Sequence, residues 1–287
     1  MINAVGRDIP DYLLKDGREV YQGKGYRDGQ VLKKASPTIK KHEKPEEDKL
    51  CRTIKEACIK CGAHDGMTFS FHTEFRDGDY VASMVCRVLV EELGLKDLHV
   101  AATSLGTAQD IFADYIERGL IVEAQTSGVR GRIGEVISSG KLKEPAIIRS
   151  HGGRPRAVEA GELHIDIAFL AASSSDCCGN ARGQGGKNNC GSMGFAMHDA
   201  RYADHTVIIT DTLVPFPNVP CSISCTDVDA VCVVDSIGDT TKIATKEARF
   251  TEDPRELMMA KNVADVIAAT PYFKDGFSFQ TGVGGPS

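Results

Sequence analysis

Residues 98–124 read LHVAATSLGTAQDIFADYIERGLIVEA, and this stretch decides the fold. The short apolar run 98–103 predicts a strand, and residues 107–118 repeat apolar side chains at helical spacing. A second apolar run, 120–124, predicts another strand directly after that helix. A strand, a helix and a strand in succession indicate a mostly parallel sheet.

The same alternation extends over most of the chain. It predicts an α/β fold in which a mostly parallel sheet carries helices on both faces. A single α/β domain is expected over 49–287. Residues 1–48 are rich in glycine, proline and charged residues. This composition indicates an extended N-terminal arm, and the alternative is that the segment is disordered. The other predicted strands are 67–71, 146–149, 165–172, 206–210 and 230–234, and the other predicted helices are 50–62, 80–93, 133–139, 155–162 and 254–269.

Composition narrows the classes of function. The formal net charge is −6 and the isoelectric point is about 5.8, so nucleic acid is not expected as the main partner. No apolar run reaches the roughly 20 residues of a membrane span, and the first ten residues lack the apolar core of a signal peptide. The cytoplasm is therefore the expected location.

The ten cysteines do not form a recognisable metal motif. Cys58 and Cys61 have CxxC spacing, but they lie within a predicted helix and no second pair follows at a useful distance. Cys177 and Cys178 are adjacent, a poor arrangement for one zinc ion. Free thiols are expected, and no metal is predicted.

Polar loops follow the predicted strands, where ligands bind in parallel α/β sheets. Loop 126–132 places small residues and two arginines at the start of a helix, and loop 150–156 contains two glycines beside a histidine. Backbone N–H groups and arginines of this kind bind anions. The long loop 173–192 is too polar and glycine-rich for regular structure, and its length indicates function. Gly282, Gly284 and Gly285 form a GxGG pattern typical of a backbone cradle.

Several of these segments in order resemble the citrate lyase α chain family. The resemblance covers nearly all of the sequence, and DxxGN at 176–180 is also similar to a wider CoA-transferase pattern. The segments are GRDIPDYL (6–13), DGMTFSFHTEFRDGDYV (65–81), TSGVRGRIGEVISSG (126–140), SHGGRPR (150–156), GELHIDIAFLAASSSDCCGNARG (161–183) and PYFKDGFSFQTGVGGPS (271–287).

This resemblance implies a CoA-transferase-like fold and a defined reaction. Acetyl-carrier protein and citrate would give citryl-carrier protein and acetate. The implied partners are citrate, a lyase β subunit and an acyl-carrier γ subunit that bears a phosphopantetheine-type prosthetic group, for which CoA or acetyl-CoA could substitute. No cofactor is expected to bind this chain directly, and a homo-oligomer is expected.

The implied citrate site gathers cations and N–H donors, because citrate is a trianion. Arg76, Arg130, His151 and Arg154 are the candidate cations, and His72 and Asn180 belong to matching motifs. The backbone candidates are Ser127, Gly128, Gly152 and Gly153, and Gly282, Gly284 and Gly285 are assigned to the carrier's prosthetic group. The loop after the first strand departs from the family, which is richer in histidine there, because Thr73 and Glu74 follow His72.

Family members are about twice as long, and related CoA-transferases take an active-site glutamate from the second half. The chain is therefore expected to be the first of two halves, inactive alone, and no catalytic residue is assigned. Three alternatives stay open: a citramalate or acyl-CoA transferase of the same fold, a non-catalytic scaffold half that docks a partner, and a sugar-phosphate isomerase or ligand-sensing domain.

Overall fold

One parallel sheet organises the protein. The computed structural model describes residues 1–3, 6–14, 19–20, 34–40, 47–242 and 251–279. Within these residues eight strands pair side by side in the order β1-β10-β9-β6-β2-β3-β4-β5, and every pairing in that sheet is parallel. Its strands are β1 (Leu50–Cys51), β2 (Thr68–Phe71), β3 (Leu98–Ala102), β4 (Ile121–Thr126), β5 (Ile147–Ile148), β6 (Ile167–Ala172), β9 (His205–Thr210) and β10 (Ala230–Val233), while β7 (Ser174–Ser175) and β8 (Ala181–Arg182) form a separate antiparallel pair.

Helices cover both faces of the sheet. They are α1 (Ile54–Lys60), α2 (Val81–Arg87), α3 (Ile111–Glu117), α4 (Gly131–Ser138), α5 (Gly153–Glu159) and α6 (Gly194–Tyr202). Buried side chains of α1 to α4 join one apolar core, and those of α5 and α6 join another. Strand β6 serves both cores, since Phe169 lies in the first and Leu170 in the second. The predicted α/β fold with helices on both faces is confirmed.

The predicted helix at 50–62 was wrong at its start. Leu50 and Cys51 extend the sheet beside β10, and α1 begins only after Thr53. The Thr53 side chain accepts a hydrogen bond from the backbone N–H of Glu56, which caps the helix. The helical spacing of apolar residues therefore led to a helix prediction across the strand. An edge strand of two residues is too short to show the alternation of apolar and polar side chains that identifies strands.

Two other local predictions also need correction. Loop 173–192 contains regular structure, since β7 and β8 pair within it. Helix α6 was not predicted at all, because Gly194-Phe-Ala-Met-His-Asp-Ala-Arg-Tyr202 mixes polar and apolar residues without a clear stripe. Its packing against β6 and β9 stabilises the helix, although its sequence shows no clear helical pattern.

Residues 34–40 lie along the outside of α5 and α6. The backbone N–H of Ala35 donates to the carbonyl of Glu159, and that of Thr38 donates to the carbonyl of Arg201. Nζ of Lys40 donates to the carbonyls of Ala203 and Asp204 at 3.0 and 2.8 Å. The contacts at Glu159 and Arg201 satisfy carbonyl groups that the last turns of α5 and α6 leave without an intrahelical partner. The boundary between arm and domain at residue 48 stays a prediction.

The described residues fall into two compact units, one within 1–243 and a small one within 244–287. The small unit contains α7 (Pro254–Ala268), which Asp253 caps by accepting from the backbone N–H groups of Arg255 and Glu256. Its start at Pro254 matches the prediction. None of the described helices is long and apolar enough to cross a membrane.

Candidate active site at the carboxyl edge of the sheet

The predicted site loops gather at one edge of the sheet. Because all eight strands run in the same direction, the loops that leave β2, β3, β4, β5 and β6 emerge together. Among them, hydroxyl groups tie the first three loops to one another. Oγ1 of Thr73 lies 3.1 Å from Oγ1 of Thr103 and 3.0 Å from Oγ of Ser104. Oγ of Ser127 donates to the carbonyl of Thr103.

Arg130 is an exposed cation at this edge. Its backbone N–H donates to the carbonyl of Leu105 at 2.9 Å, which joins the loop after β4 to the loop after β3. A Cβ placed on Gly106 would lie 3.8 Å from Nη2 of Arg130, so the guanidinium extends over that glycine. The side chain is exposed, and no ion pair or hydrogen bond to it is found within the described ranges.

Arg76 is the second exposed cation. It lies in a single 3-10 turn, Arg76–Gly78, after β2, and its φ of 49° is in the left-handed region that few non-glycine residues adopt. Its side chain is exposed and, among the residues with described positions, has no carboxylate partner. The loops after β2 and β4 thus each present one exposed guanidinium that has no partner in the described part of the chain.

The backbone donors predicted in the loop after β4 are already used. The N–H of Ser127 donates to the carbonyl of Thr103 at 3.2 Å, and that of Gly128 donates to Oγ1 of Thr126 at 3.4 Å. At the start of α4, the N–H of Ile133 donates to Oδ1 of Asp110. The protein's own acceptors therefore occupy the two predicted backbone donors, so the exposed side chain of Arg130 is the candidate anion ligand of this loop.

Arg154 differs from the other two arginines because it is buried. Its Nη1 and Nη2 donate to Oδ1 and Oδ2 of Asp199, each at 2.7 Å, and Nη2 also donates to the carbonyl of Ala101. The side chains of Arg154 and Asp199 are 1% and 0% exposed. Burial alone would raise the pKa of Asp199, but the charges of Arg154 and His72 and the hydrogen bonds from Arg154 hold it well below its ordinary value.

His72 joins this buried pair. Its Nε2 lies 3.1 Å from Oδ2 of Asp199 and donates to it, since an ionised carboxylate only accepts. Its Nδ1 lies 3.8 Å from Oε1 of Glu74. His72 is therefore held between two carboxyl groups, and Asp199 is the shared partner of His72 and Arg154.

Glu74 ends this line of side chains. Its Oε2 is buried and has no hydrogen-bond partner among the described residues. Burial is the main cause that raises the pKa of Glu74, and His72 opposes it. Asp79, in the same loop, is also buried, and burial raises its pKa to about 7. Two carboxyl groups with raised pKa values therefore follow β2.

The loop after β5 leads into α5. His151 is exposed, and its ring packs against that of Phe195 with centroids 4.7 Å apart. The N–H of Gly153 donates to Oγ of Ser150, whereas a Cβ on Gly152 would meet no atom within 4 Å. Of the predicted residues here, His151 and Gly152 are open and Arg154 is enclosed.

Asn180 lies in the loop after β6, within a network around Asp176. Oδ1 of Asp176 accepts from the backbone N–H groups of Cys178, Gly179 and Asn180. Nδ2 of Asn180 donates to Oδ2 of Asp176 at 2.8 Å, and its Oδ1 accepts from the N–H of Cys225 at 3.0 Å. The DxxGN motif thus folds this loop around a buried carboxylate.

The structure therefore brings some predicted residues together and separates others. His72 and Arg154 share Asp199, while Arg76 and Arg130, which have no partner among the described residues, lie on the loops after β2 and β4, on either side of the loop after β3. Sequence reasoning did not select Asp199, which lies on the unpredicted helix α6. It did not assign Glu74 to the citrate site, although a carboxylate directly after a buried strand is a signal of chemistry. Gly282, Gly284 and Gly285 lie outside the described residues. The ten cysteines all lie within the described residues, and none of them forms a disulfide bond.

Comparison with solved structures first defines the class. The chain shares its fold with the α subunit of a malonate decarboxylase from Acinetobacter baumannii, at TM-score 0.55 and 20% identity over 75% of this chain and 38% of that one. It also matches an acyl-CoA transferase from Escherichia coli O157:H7, at TM-score 0.53 and 15% identity over 80% of this chain and 56% of that one. The protein has the predicted CoA-transferase-type fold.

The family follows from closer relatives. Residues 47–287 match the family described as "Citrate lyase, alpha subunit (CitF)". A citrate lyase alpha chain of Escherichia coli K12 is 46% identical over 85% of this chain and 48% of its own length, and one of Klebsiella pneumoniae is 41% identical over 96% and 53%. A Streptococcus mutans structure, described as the alpha subunit of citrate lyase in complex with citrate, matches at TM-score 0.84 and 46% identity over 98% of this chain and 54% of that one. This chain belongs to the citrate lyase alpha-subunit family, and it spans about half the length of these relatives.

Proposed function

We propose that this chain carries the citrate-binding half of a transferase that exchanges acetyl for citryl on an acyl-carrier protein. The single observation that carries the proposal is a pair of exposed guanidinium groups without a partner among the described residues, Arg76 and Arg130, on the loops after β2 and β4 at the carboxyl edge. Membership of the citrate lyase alpha-subunit family supports citrate as the ligand, since the related Streptococcus mutans structure contains it. Two free guanidinium groups suit a ligand with three carboxylates.

Buried groups beneath the surface would fix the site. Asp199 orients both His72 and Arg154, and the hydroxyl cluster at Thr73 and Thr103 ties two loops together. A site held in this way would need little reorganisation when citrate binds, which favours transfer through proximity. The oxyanions of acyl transfer would form beside the free arginines, which could stabilise them.

The partners and the prosthetic group belong to the same proposal. The acyl group would arrive on the phosphopantetheine-type arm of a carrier protein, and a separate lyase subunit would cleave the citryl thioester in the cytoplasm. The glycines Gly282, Gly284 and Gly285 would contact that arm. Because the chain spans about half the length of its relatives, we expect transfer only when the remaining half is supplied as well.

Calorimetric titration of this chain with citrate tests the proposal. Replacing Arg130 with alanine removes a charged donor, and we expect citrate affinity to fall at least about tenfold, since a hydrogen bond to a charged group contributes about 1.5–3 kcal/mol. Arg132→Ala is the matched control: this exposed arginine pairs with Asp114 and Glu117 at 2.6 and 2.9 Å instead of facing the site. Equal citrate affinity of the two variants would contradict the proposal.

Binding of citramalate, compared with that of citrate, distinguishes the proposed function from the nearest alternative, a citramalate transferase. Citramalate lacks one carboxylate of citrate, so a citrate site should bind it more weakly, and Arg130→Ala should reduce that difference if Arg130 holds the missing group. Tighter binding of citramalate would instead assign the chain to a citramalate transferase. Binding of neither acid would leave the scaffold function as the better explanation.

A further inference from the structure

Asp199, His72 and Glu74 contact one another in sequence, with His72 in the middle, and this arrangement can hold one buried exchangeable proton, called the proton store below. Asp199 is fixed by two hydrogen bonds from Arg154 and accepts a third from Nε2 of His72. That bond leaves Nδ1 of His72 facing Oε1 of Glu74 at 3.8 Å. If both Nδ1 and Glu74 lacked a proton, a lone pair would face a buried carboxylate. One proton, carried either by Nδ1 of His72 or by the carboxyl group of Glu74, removes that repulsion.

Charge balance supports the same occupancy. The charges of Arg154 and Asp199 cancel each other. With a proton on Nε2 of His72, the four side chains Arg154, Asp199, His72 and Glu74 are therefore neutral as a group when one further proton is bound to His72 or Glu74. Loss of that proton would leave a net negative charge in a site where Oε2 of Glu74 has no partner among the described residues. The proton can reside on either residue without changing the balance.

Glu74 is the more exposed member of the pair. Its side chain is 9% exposed, whereas that of His72 is 1% exposed. Its neighbour Thr73 contacts the loop after β3, which also receives the backbone N–H of Arg130. Glu74 therefore lies in the same group of loops as the proposed citrate site.

The groups around Glu74 come from several elements. Burial is the main cause that raises the pKa of Glu74. The charges of His72 and Arg154 lower this pKa, and the charge of Asp199 raises it. Cys190 itself has a pKa raised to about 11, mainly by burial, so it adds no charge near neutral pH. The titratable and charged groups that face Glu74 are His72 in its own loop, Asp79 before α2, Arg154 on α5, Cys190 in the loop after β6, and Asp199 on α6.

We infer that Glu74, backed by His72, is the proton donor to the sulfur that leaves during acyl transfer, and that it takes the proton back in the second half of the exchange. The inference rests on the proposed function. In the first step a citrate carboxylate oxygen bonds to the acetyl carbonyl carbon, the carbon–sulfur bond breaks, and the proton moves from Glu74 to sulfur. The products are a mixed anhydride and a free thiol.

The second step restores Glu74. The thiol sulfur bonds to the citryl carbonyl carbon of the anhydride, the carbon–oxygen bond to the acetyl group breaks, and acetate leaves. The thiol proton returns to Glu74. The sum is acetyl thioester and citrate giving citryl thioester and acetate, with no net proton gained or lost, so the glutamate acts as a general acid and then as a general base.

The variant Glu74→Gln tests the inference, because glutamine keeps the shape and cannot donate a transferable proton. In the complete enzyme, with this chain and its second half, transfer from an alkyl thioester such as acetyl-CoA to citrate should slow about 100-fold or more. With an acetyl thioester of an electron-poor aromatic thiol the loss should be about tenfold smaller, since that sulfur leaves without a proton. Glu117→Gln, an exposed glutamate on α3, should behave as the wild type with both thioesters.

Equal losses with the two thioesters would mean that Glu74 only supports the structure, and no loss with either would exclude it from the reaction. Both results overturn the inference. If the wild type transfers no acyl group to citrate, the proposed function fails, and infrared difference spectra of wild type minus Glu74→Gln still decide whether the proton store exists. A protonated carboxyl band, or an imidazolium signal lost with Glu74, near neutral pH supports it, and the absence of both overturns it.

Discussion

Both carboxylate oxygens of Asp199 accept a hydrogen bond from the guanidinium of Arg154, each at 2.7 Å, in the interior between α6 and α5. The two residues are 45 positions apart in sequence. Asp199 also accepts from His72, at the end of β2. One buried aspartate thereby fixes an arginine and a histidine that the sequence assigns to separate loops.

Replacing Arg154 with methionine should destabilise the protein by about 3–5 kcal/mol, because Asp199 would remain buried without its cation. The urea dependence of the free energy of unfolding measures this loss. The control is Arg132→Met, which breaks exposed ion pairs to Asp114 and Glu117 and should cost less than about 1 kcal/mol. Similar losses in the two variants would show that the Arg154 pair is not essential to the fold.

Asp79 should make stability depend on pH. Burial raises its pKa in the folded protein to about 7, above the ordinary value of about 4 for an unfolded chain. Between these values the folded state binds more protons than the unfolded state, so the free energy of unfolding should fall as pH rises from about 4 to 7. Glu74, whose pKa is also raised, acts in the same direction.

In Asp79→Asn this fall should be smaller, and the variant should be more stable than the wild type at pH 8. Urea unfolding at pH 5 and pH 8 measures the difference. Asp199 acts in the opposite direction, because its pKa is held low: its contribution is complete above about pH 4 and is lost only as the pH falls further. An unchanged slope in Asp79→Asn would show that Asp79 is ionised throughout this range.

Asn180→Ala should lower stability by about 1–3 kcal/mol, since Asp176 and the N–H of Cys225 would each lose a buried partner. Both ends of the amide are used within the protein, so citrate affinity of the folded variant should stay within about twofold. Thermal unfolding and citrate calorimetry on the same sample measure the two effects. Unchanged stability with weakened citrate binding would instead identify Asn180 as a direct ligand.

Gly186→Ala should strongly destabilise the loop after β6. A Cβ there would lie 1.6 Å from the carbonyl oxygen of Ser173, so the backbone must shift, and we expect a loss of about 1–3 kcal/mol. Gly152→Ala is the matched control, because its Cβ would meet no atom within 4 Å and its φ of −71° suits alanine. Midpoints of urea unfolding should therefore fall for Gly186→Ala alone.

Much of the fold could be predicted from the sequence, because buried parallel strands are continuous apolar runs and amphipathic helices repeat every 3.6 residues. Strands β2, β3, β4, β6, β9 and β10 and helices α2 to α5 and α7 all lie where these patterns indicated. The failures were β1, α6 and the short antiparallel pair β7 and β8. A strand of two residues shows no period, and α6 is ordered by packing on the sheet rather than by its own sequence.

The sequence by itself determined that strands and helices alternate along most of the chain. A parallel sheet follows from this alternation, and in such a sheet the polar loops after the strands meet at the carboxyl edge. Only the tertiary structure decided which arginines would be free. Arg154 lies beside a carboxylate from a distant helix and is neutralised there, while Arg76 and Arg130 have no such neighbour within the described residues. Hydrophobic period is a local property of the chain, but the pairing of buried charges depends on which elements pack together, so it appears only once the fold has formed.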